Sequence, residues 1–458
     1  MRRAVVVTVC TLLIGAMSTV DARILPKHSS FTLSNGLEVV LVEDHRWPII
    51  EYSMLFKTGS AVDSARLSGL AGVALEMMKE GTEGFSGEAL VEAIDSVGGL
   101  IKFDIKRYAL FVRGSFLARD GDLALRIIAE MATAPRFDEE GLDRLKKRYV
   151  SSIMQSNSVT GIRLIHALYR SVYGDAGYGL PAWGTQSGIR RITLDDVRSF
   201  YEKNFRPNNA ALVVAGDFET GDVKKTIKSL FSDWRKGSGI SRPIVNPSLP
   251  DSLRIIILDN PEAAGSEFMI GRPAVPATSE ISSALIVLEY LLGGGGEISR
   301  LSKCLIRRHA LATTISSDID WSTADGMLRI SGGATNEMAA EAIRQVLTTL
   351  QDLRDIRVPA SELGDAKSHF RGEMAGYFQN PLRTVRILSG ILSLDLGLDF
   401  HENFLKQLDS VDPNLIRKTA QEFLDENRLT VVVMGPEAIL RRGLSELGQV
   451  EVISSGRN

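Results

Sequence analysis

The chain has 458 residues, 44% of them apolar and 24% charged, with a formal net charge of −3. That is the composition of a globular protein with room for two to four ordinary domains. Its near-neutral balance gives no electrostatic ground for nucleic acid or an acidic membrane surface as partner.

Met1, Arg2 and Arg3 make a short basic start, and residues 4–17 form an apolar run too short for a comfortable membrane span. Val20, Asp21 and Ala22 then offer a small-residue cleavage site. Residues 1–22 therefore read as a secretory signal peptide, the other reading being an uncleaved anchor. Cys10 lacks the small residue that a lipid-attachment site wants before it. After cleavage Cys304 remains by itself and has no partner for an internal disulfide. The expected location of such an exported, disulfide-free chain is a bacterial periplasm.

Residues 37–42 and 50–56 read as strands. Leu67, Leu70, Val73, Ala74 and Met77 follow helical spacing and are predicted to face the core, which puts Gly72, Glu76 and Lys79 on the opposite face. Helices are predicted over 89–97, 122–132 and 195–205. A long one runs from Phe137 to about Gln155, with Asp138 as N-cap and acids in its first turn. Strands, helices, a strand, helices and a strand in that order indicate an α+β fold, an antiparallel sheet with helices packed on one face.

The chain repeats this plan. LEVVLV from Leu37 recurs as LRIIIL from Leu253, 216 positions on. YALFVRG from Tyr108 recurs as GMLRISG from Gly326, 218 on, and NNAALVVAG from Asn208 as NRLTVVVMG from Asn427, 219 on. Three matches in one order at nearly one offset describe a duplicated domain. KGSGISRP from Lys236, continuing to Pro247 and Pro250, reads as a linker. The expected units are a first domain over 27–235, a linker over 236–251 and a second domain over 252–450.

GLAGVALEMMKEGT from Gly69 to Thr82 resembles the metal-binding helix of the inverted zinc peptidases, in which G-x-A runs into H-x-x-E-H and then G-T. Gly69, Ala71, Met77, Gly81 and Thr82 keep that frame. Gly72 stands at the first His, Leu75 at the Glu and Glu76 at the second His. A catalytic zinc takes three protein ligands and keeps one position open for water, whose proton a nearby Glu accepts. Glycine has no donor, leucine accepts no proton, and Glu76 is a single carboxylate. The family's third ligand is a Glu further along. Ser151 and Ser152 occupy its expected place, and no Glu occurs between Glu140 and Glu202. His28, His45, His166, His309, His369 and His401 are too scattered for a helical ligand pair and read as isolated surface or capping residues, and Asp217 as a strand-end or turn residue.

Further segments carry a resemblance to the insulinase/pitrilysin-type peptidases over nearly the whole mature chain. They are YGLP from Tyr178, Gly184-Thr185, the pair Phe200-Tyr201 after Val197, FRPNN from Phe205, AGD from Ala215, and LLGGGGEISRL from Leu291. The resemblance implies half of a clamshell, built from two homologous domains and enclosing an unfolded peptide in a chamber. Gly293, Gly294, Gly295 and Gly296 read either as a flexible loop or as a strip lying near bound peptide. No Gly-Lys-Ser/Thr follows them, which speaks against a phosphate cradle. Metal-less relatives supply an Arg and a Tyr to the substrate carbonyl. Here Ile306 and Thr313 stand at those places, with Arg307 and Arg308 beside them as substitutes for the Arg or as solvated helix charges.

The substrate-binding candidates are thus Gly293 to Gly296, Arg307 and Thr313, with no catalytic residue, no metal ligand and no cofactor of the chain's own. Zinc is expected only in a partner. The expected function is that of a non-catalytic subunit which binds unstructured peptide and closes the chamber over a catalytic homologue. The alternative is a stand-alone peptide-binding or structural protein of the same fold. An enzyme acting through another site has the least support, because no Ser has a His at motif spacing. Neither nucleic acid nor, after cleavage, a membrane is an expected partner.

Overall fold

The computed structural model describes residues 24–156, 158–238 and 245–453. The expected signal peptide lies outside them, as does part of the expected linker. Six strands form the first sheet: β1 (Ser29–Thr32), β2 (Glu38–Glu43), β3 (Ile49–Phe56), β4 (Leu100–Ile105), β5 (Leu110–Leu117) and β6 (Ala210–Gly216). Six form the second: β7 (Arg254–Asp259), β8 (Ser266–Pro273), β9 (Thr314–Asp320), β10 (Met327–Ala334), β11 (Thr430–Gly435) and β12 (Gln449–Ile453). Their spatial orders are β1-β2-β6-β3-β5-β4 and β12-β7-β11-β8-β10-β9.

The two sheets share one register. Val39 lies opposite Leu212 and Tyr52 opposite Val214 and Gly114; in the second sheet Ile255 lies opposite Val431 and Phe268 opposite Val433 and Gly332. These positions are related by the same offsets as the repeated sequence segments. The domains are homologous in pairing as well as in pattern. Most neighbours are antiparallel, but β2 with β6 and β7 with β11 are parallel, because the chain returns to the same end of the sheet through the rest of its domain. The outer edges differ: β1 joins by a hairpin, whereas β12 arrives from the C-terminus and runs parallel to β7.

An aromatic ring lying over a glycine recurs in both domains. A Cβ on Gly114 would overlap the Tyr52 ring, and one on Gly332 would overlap the Phe268 ring. Both rings are buried, so neither has somewhere to move. Gly114→Val should therefore overpack the first core and cost about 1–3 kcal/mol, to be read from the midpoint of urea unfolding. An unchanged midpoint would show that the ring is free to swing aside.

The helices that matter for the site are α1 (Leu70–Met77), α2 (Glu139–Ser156), α3 (Thr160–Tyr173), α4 (Ser282–Glu289) and α5 (Pro381–Ser393). The long predicted helix is α2, and the Asp138 carboxylate accepts the Gly141 N–H at 2.7 Å as its cap. The other predicted helices run over Gly87–Asp95, Gly121–Thr133 and Leu194–Asn204. The first of these starts earlier than its apolar pattern because Ser86 Oγ caps Ala89 N–H.

One face of each sheet is covered by its own domain's helices. Val39, Leu41, Tyr52 and Met54 share a core with Val73, Ala74 and Met77 of α1 and Leu142 and Leu145 of α2. The opposite faces are covered by exchange. Val40, Val42, Val213 and Ala215 of the first sheet pack against Val385, Leu388 and Ile391 of α5. Ile256, Leu258, Met269 and Val432 of the second pack against Leu164, Leu168 and Tyr169 of α3. This explains why the strands read as unbroken apolar runs rather than alternating ones: both faces are buried.

Candidate functional site: a plugged metal helix

Asp63 and two glycines set the start of α1. The Asp63 carboxylate accepts the N–H groups of Gly69 (2.9 Å) and Ala71 (3.0 Å), partners for donors that a helix start leaves open. Gly69 has φ +105° and Gly184 φ +84°, and a Cβ on Gly69 would stand 3.1 Å from the Gly184 Cα. These retained frame glycines serve backbone packing, which the loss of the metal chemistry leaves in place.

Inside that frame the site is filled. A Cβ on Gly72 would lie 2.8 Å from Ile105 Cδ1 and 3.0 Å from the Tyr149 hydroxyl. Gly72 and Leu75 are both buried, so the part of α1 that carries Gly72, opposite the predicted core stripe, is packed as well. Tyr149 donates its hydroxyl to Glu76 Oε1 at 2.8 Å, and Lys79 Nζ reaches Glu76 Oε2 at 3.2 Å. Burial, reinforced by the Glu76 charge, raises the Tyr149 pKa well above the ordinary tyrosine value, so the phenol keeps the proton it donates. Trp183 packs on the Tyr149 ring at a centroid distance of 6.0 Å, and Lys79 Nζ lies 5.2 Å from the Phe103 centroid.

The α2 residue that faces Glu76 is Tyr149, not Ser151 or Ser152, which are exposed. Ser151 and Ser152 stand two and three positions further along α2, on another face of the helix. The donor set does not fit zinc. Gly72 and Leu75 offer no donor, and Glu76 is held by a phenol and an ammonium. Among the described residues no three His, Cys, Asp or Glu side chains stand close enough together to hold a metal ion.

The first half of the glycine-rich segment is helical rather than a loop. Tyr290–Gly294 continues α4 as a π-helical turn. A Cβ on Gly293 would stand 2.6 Å from the Ser317 nitrogen of β9, so Gly293 lets the helix lie against that strand. A Cβ on Gly294 would strike the Glu289 carboxylate. Burial pushes Glu289 up to about 7, and its Oε1 accepts the Ser317 hydroxyl at 2.7 Å. Gly295 follows, and Gly296, at φ +62°, makes the turn into Gly296–Ile298. The side-chain freedom of Gly293 and Gly294 is thus taken up by their own neighbours.

Arg307 pairs with Glu297 at 2.5 Å, and both are exposed, so the pair has little energetic weight. Arg308 is exposed. Thr313 donates both its N–H (2.7 Å) and its hydroxyl (3.1 Å) to the Gly333 carbonyl, extending the pairing of β9 with β10. Gly293, Arg307 and Thr313 therefore belong to one region beside β9. Gly72, Leu75 and Glu76 belong to the core of the other domain.

His45 and Asp217 form a contact that sequence spacing does not reveal. His45 Nδ1 lies 2.6 Å from Asp217 Oδ1 and Nε2 lies 3.2 Å from Glu43 Oε1. The Thr220 hydroxyl and N–H, then His45, hold Glu43 down at about 2. The hydrogen bond that His45 donates to Asp217, then the one to Glu43, raises the His45 pKa above 6.5. A raised folded-state pKa stabilises below the unfolded value, and that contribution is lost as pH rises through the folded pKa. The ring is exposed, so the effect on stability is small. In an NMR titration His45 should titrate above 6.5, and Asp217→Asn should bring it back toward that value. An unshifted wild-type ring would refute the contact in solution.

Residues 38–186 match the family model described as insulinase (peptidase family M16), and residues 191–370 match the model described as peptidase M16 inactive domain. Together the two stretches span most of the chain. The chain belongs to the peptidase M16 family. Among its M16 relatives, the Helicobacter pylori non-peptidase homolog YmxG is 21% identical over 93% of this chain and 97% of its own. The zinc protease PqqE of the same organism is 24% identical over 90% of this chain and 94% of its own. The crystal structure of a peptidase M16 inactive domain from Pseudomonas fluorescens superposes with a TM-score of 0.82 at 20% identity, covering 90% of this chain and 98% of that one. At that identity the likeness establishes the fold: two domains of mixed α+β structure. The chain is an M16 protein related to zinc proteases in which the metal motif has been replaced.

Proposed function

We propose that this chain is the non-catalytic subunit of an exported zinc-peptidase complex, binding unstructured peptide and closing the chamber over a catalytic homologue. The observation that carries this reading is the contrast around α1. The frame glycines and the helix cap persist, while Tyr149 and Glu76 satisfy each other where ligands would stand. The printed name of the Helicobacter relative, a non-peptidase homolog, agrees with loss of catalysis without loss of fold.

Peptide binding is supported by β4. Among the described residues it pairs only with β5; it lies next to α1 and leaves Leu100 48% exposed. Such an unpaired edge offers main-chain donors and acceptors to an added strand. Arg307 pairs with Glu297 at the surface and Thr313 with the Gly333 carbonyl.

The test is co-expression with a family member bearing intact H-x-x-E-H, followed by size-exclusion chromatography and peptide-cleavage assays. A one-to-one complex that cleaves, with this chain inactive by itself, is the expected result. Full activity of the homologue without this chain would favour the stand-alone role. Cleavage by this chain alone would remove the reading altogether.

A further inference from the structure

A second feature lies away from the plugged helix, where the two domains meet. A cavity of ≈ 20 Å³ opens there, room for one water-sized guest. Its wall combines Lys57, Thr58, Arg107 and Tyr108 from the first domain with Thr323 and Ser393 from the second. Two cations and several hydroxyls thus line it, and no carboxylate does.

These groups are differently committed. Lys57 is paired with Glu38 and Asp395, at 3.2 Å each, but neither carboxylate reaches the cavity wall. Arg107 donates to the carbonyls of Tyr178 (2.9 Å) and Leu180 (3.4 Å), with its guanidinium carbon 3.7 Å from the Tyr169 ring centroid. Burial, the largest influence on Arg107, lowers its pKa, the response of a cation short of solvation. Thr58 is 4% exposed, and among the described residues its Oγ1 has no hydrogen-bond partner. A buried hydroxyl left in that state calls for a partner in the space beside it.

We propose that this cavity binds one small monovalent anion of chloride's size, held by Lys57, Arg107 and the Thr58 hydroxyl. Every named polar group in the wall is able to donate a hydrogen bond, and the volume excludes phosphate or a peptide carboxylate. Water would satisfy Thr58 but would bring no charge to Arg107, whose hydrogen bonds go to the neutral carbonyls of Tyr178 and Leu180. The anion would join the turn between β4 and β5 to the turn between β9 and β10 and to the end of α5, so it would tie one domain to the other.

The test uses the full mature chain. Thermal melts are compared in sodium chloride and in sodium gluconate at equal ionic strength, for the wild type and for Thr58→Val, which keeps the side-chain shape and removes the hydroxyl. Crystals grown in sodium bromide supply an anomalous signal. The expected result is a higher melting temperature in chloride, a chloride-specific gain at least halved in Thr58→Val, and a bromide peak in the cavity. Ser393→Ala is the second variant if Thr58→Val does not fold. A chloride gain equal in wild type and variant, or a cavity without bromide, overturns the proposal.

Discussion

Restoring the motif with Gly72→His, Leu75→Glu and Glu76→His should destabilise the chain and fail to create a tight zinc site. At Gly72 a side chain must enter space held by Ile105 and the Tyr149 hydroxyl, an overpacking cost of about 1–3 kcal/mol. Leu75 is fully buried. Losing its packing costs about 2–5 kcal/mol, and the new carboxylate adds a desolvation penalty. Glu76→His removes the acceptor of the Tyr149 hydroxyl and leaves Lys79 without its partner. The three sites touch, so their costs will not simply add. Urea unfolding measures the destabilisation, and elemental analysis after dialysis measures the metal. One firmly held zinc per chain would show that Tyr149 yields its place readily. A triple variant as stable as the wild type would show that the site is looser than its contacts imply.

Cutting the chain between its domains should abolish independent folding of both. Expressed alone, the first domain would expose Val40, Val42, Val213 and Ala215, the strip that α5 covers. The second would expose Ile256, Leu258, Met269 and Val432, the strip that α3 covers, while α3 itself would project its apolar side from the first. Contiguous apolar faces of this kind drive association. Each domain by itself is expected to be insoluble or to melt without cooperativity, and co-expression of the two should restore a soluble pair. Leu388→Ala is the point-mutant counterpart. It should cost about 2–5 kcal/mol and loosen amide protection in β2, β3 and β6 of the other domain. A soluble first domain with a sharp melt, or loosening confined to the second domain, would mean that the exchanged helices decorate the fold rather than hold it.

The sequence by itself determined the family frame, the duplication and the absence of metal chemistry at Gly72 and Leu75. These are properties of residue type and spacing: a glycine has no ligand atom wherever it sits, and the strand offsets of the repeat reappear unchanged as sheet register. The cap at Asp138 was equally local, since a cap and its helix are neighbours in the chain. The unbroken apolar runs in β2, β6, β7 and β11 held a signal that both sheet faces are covered. Periodicity alone does not say by which helix.

Tertiary structure decided the rest, because the deciding contacts join residues far apart in the chain. That Tyr149 and not Ser151 or Ser152 meets Glu76 depends on how α2 is rotated against α1, which spacing leaves free by a fraction of a turn. That Gly293 accommodates Ser317 depends on the helical segment after α4 lying against β9. The exchange of α3 and α5 depends on two sheets each having a second face to bury. The cavity at Lys57, Thr58 and Arg107 exists only where two domains meet, and no segment of the chain carries its pattern.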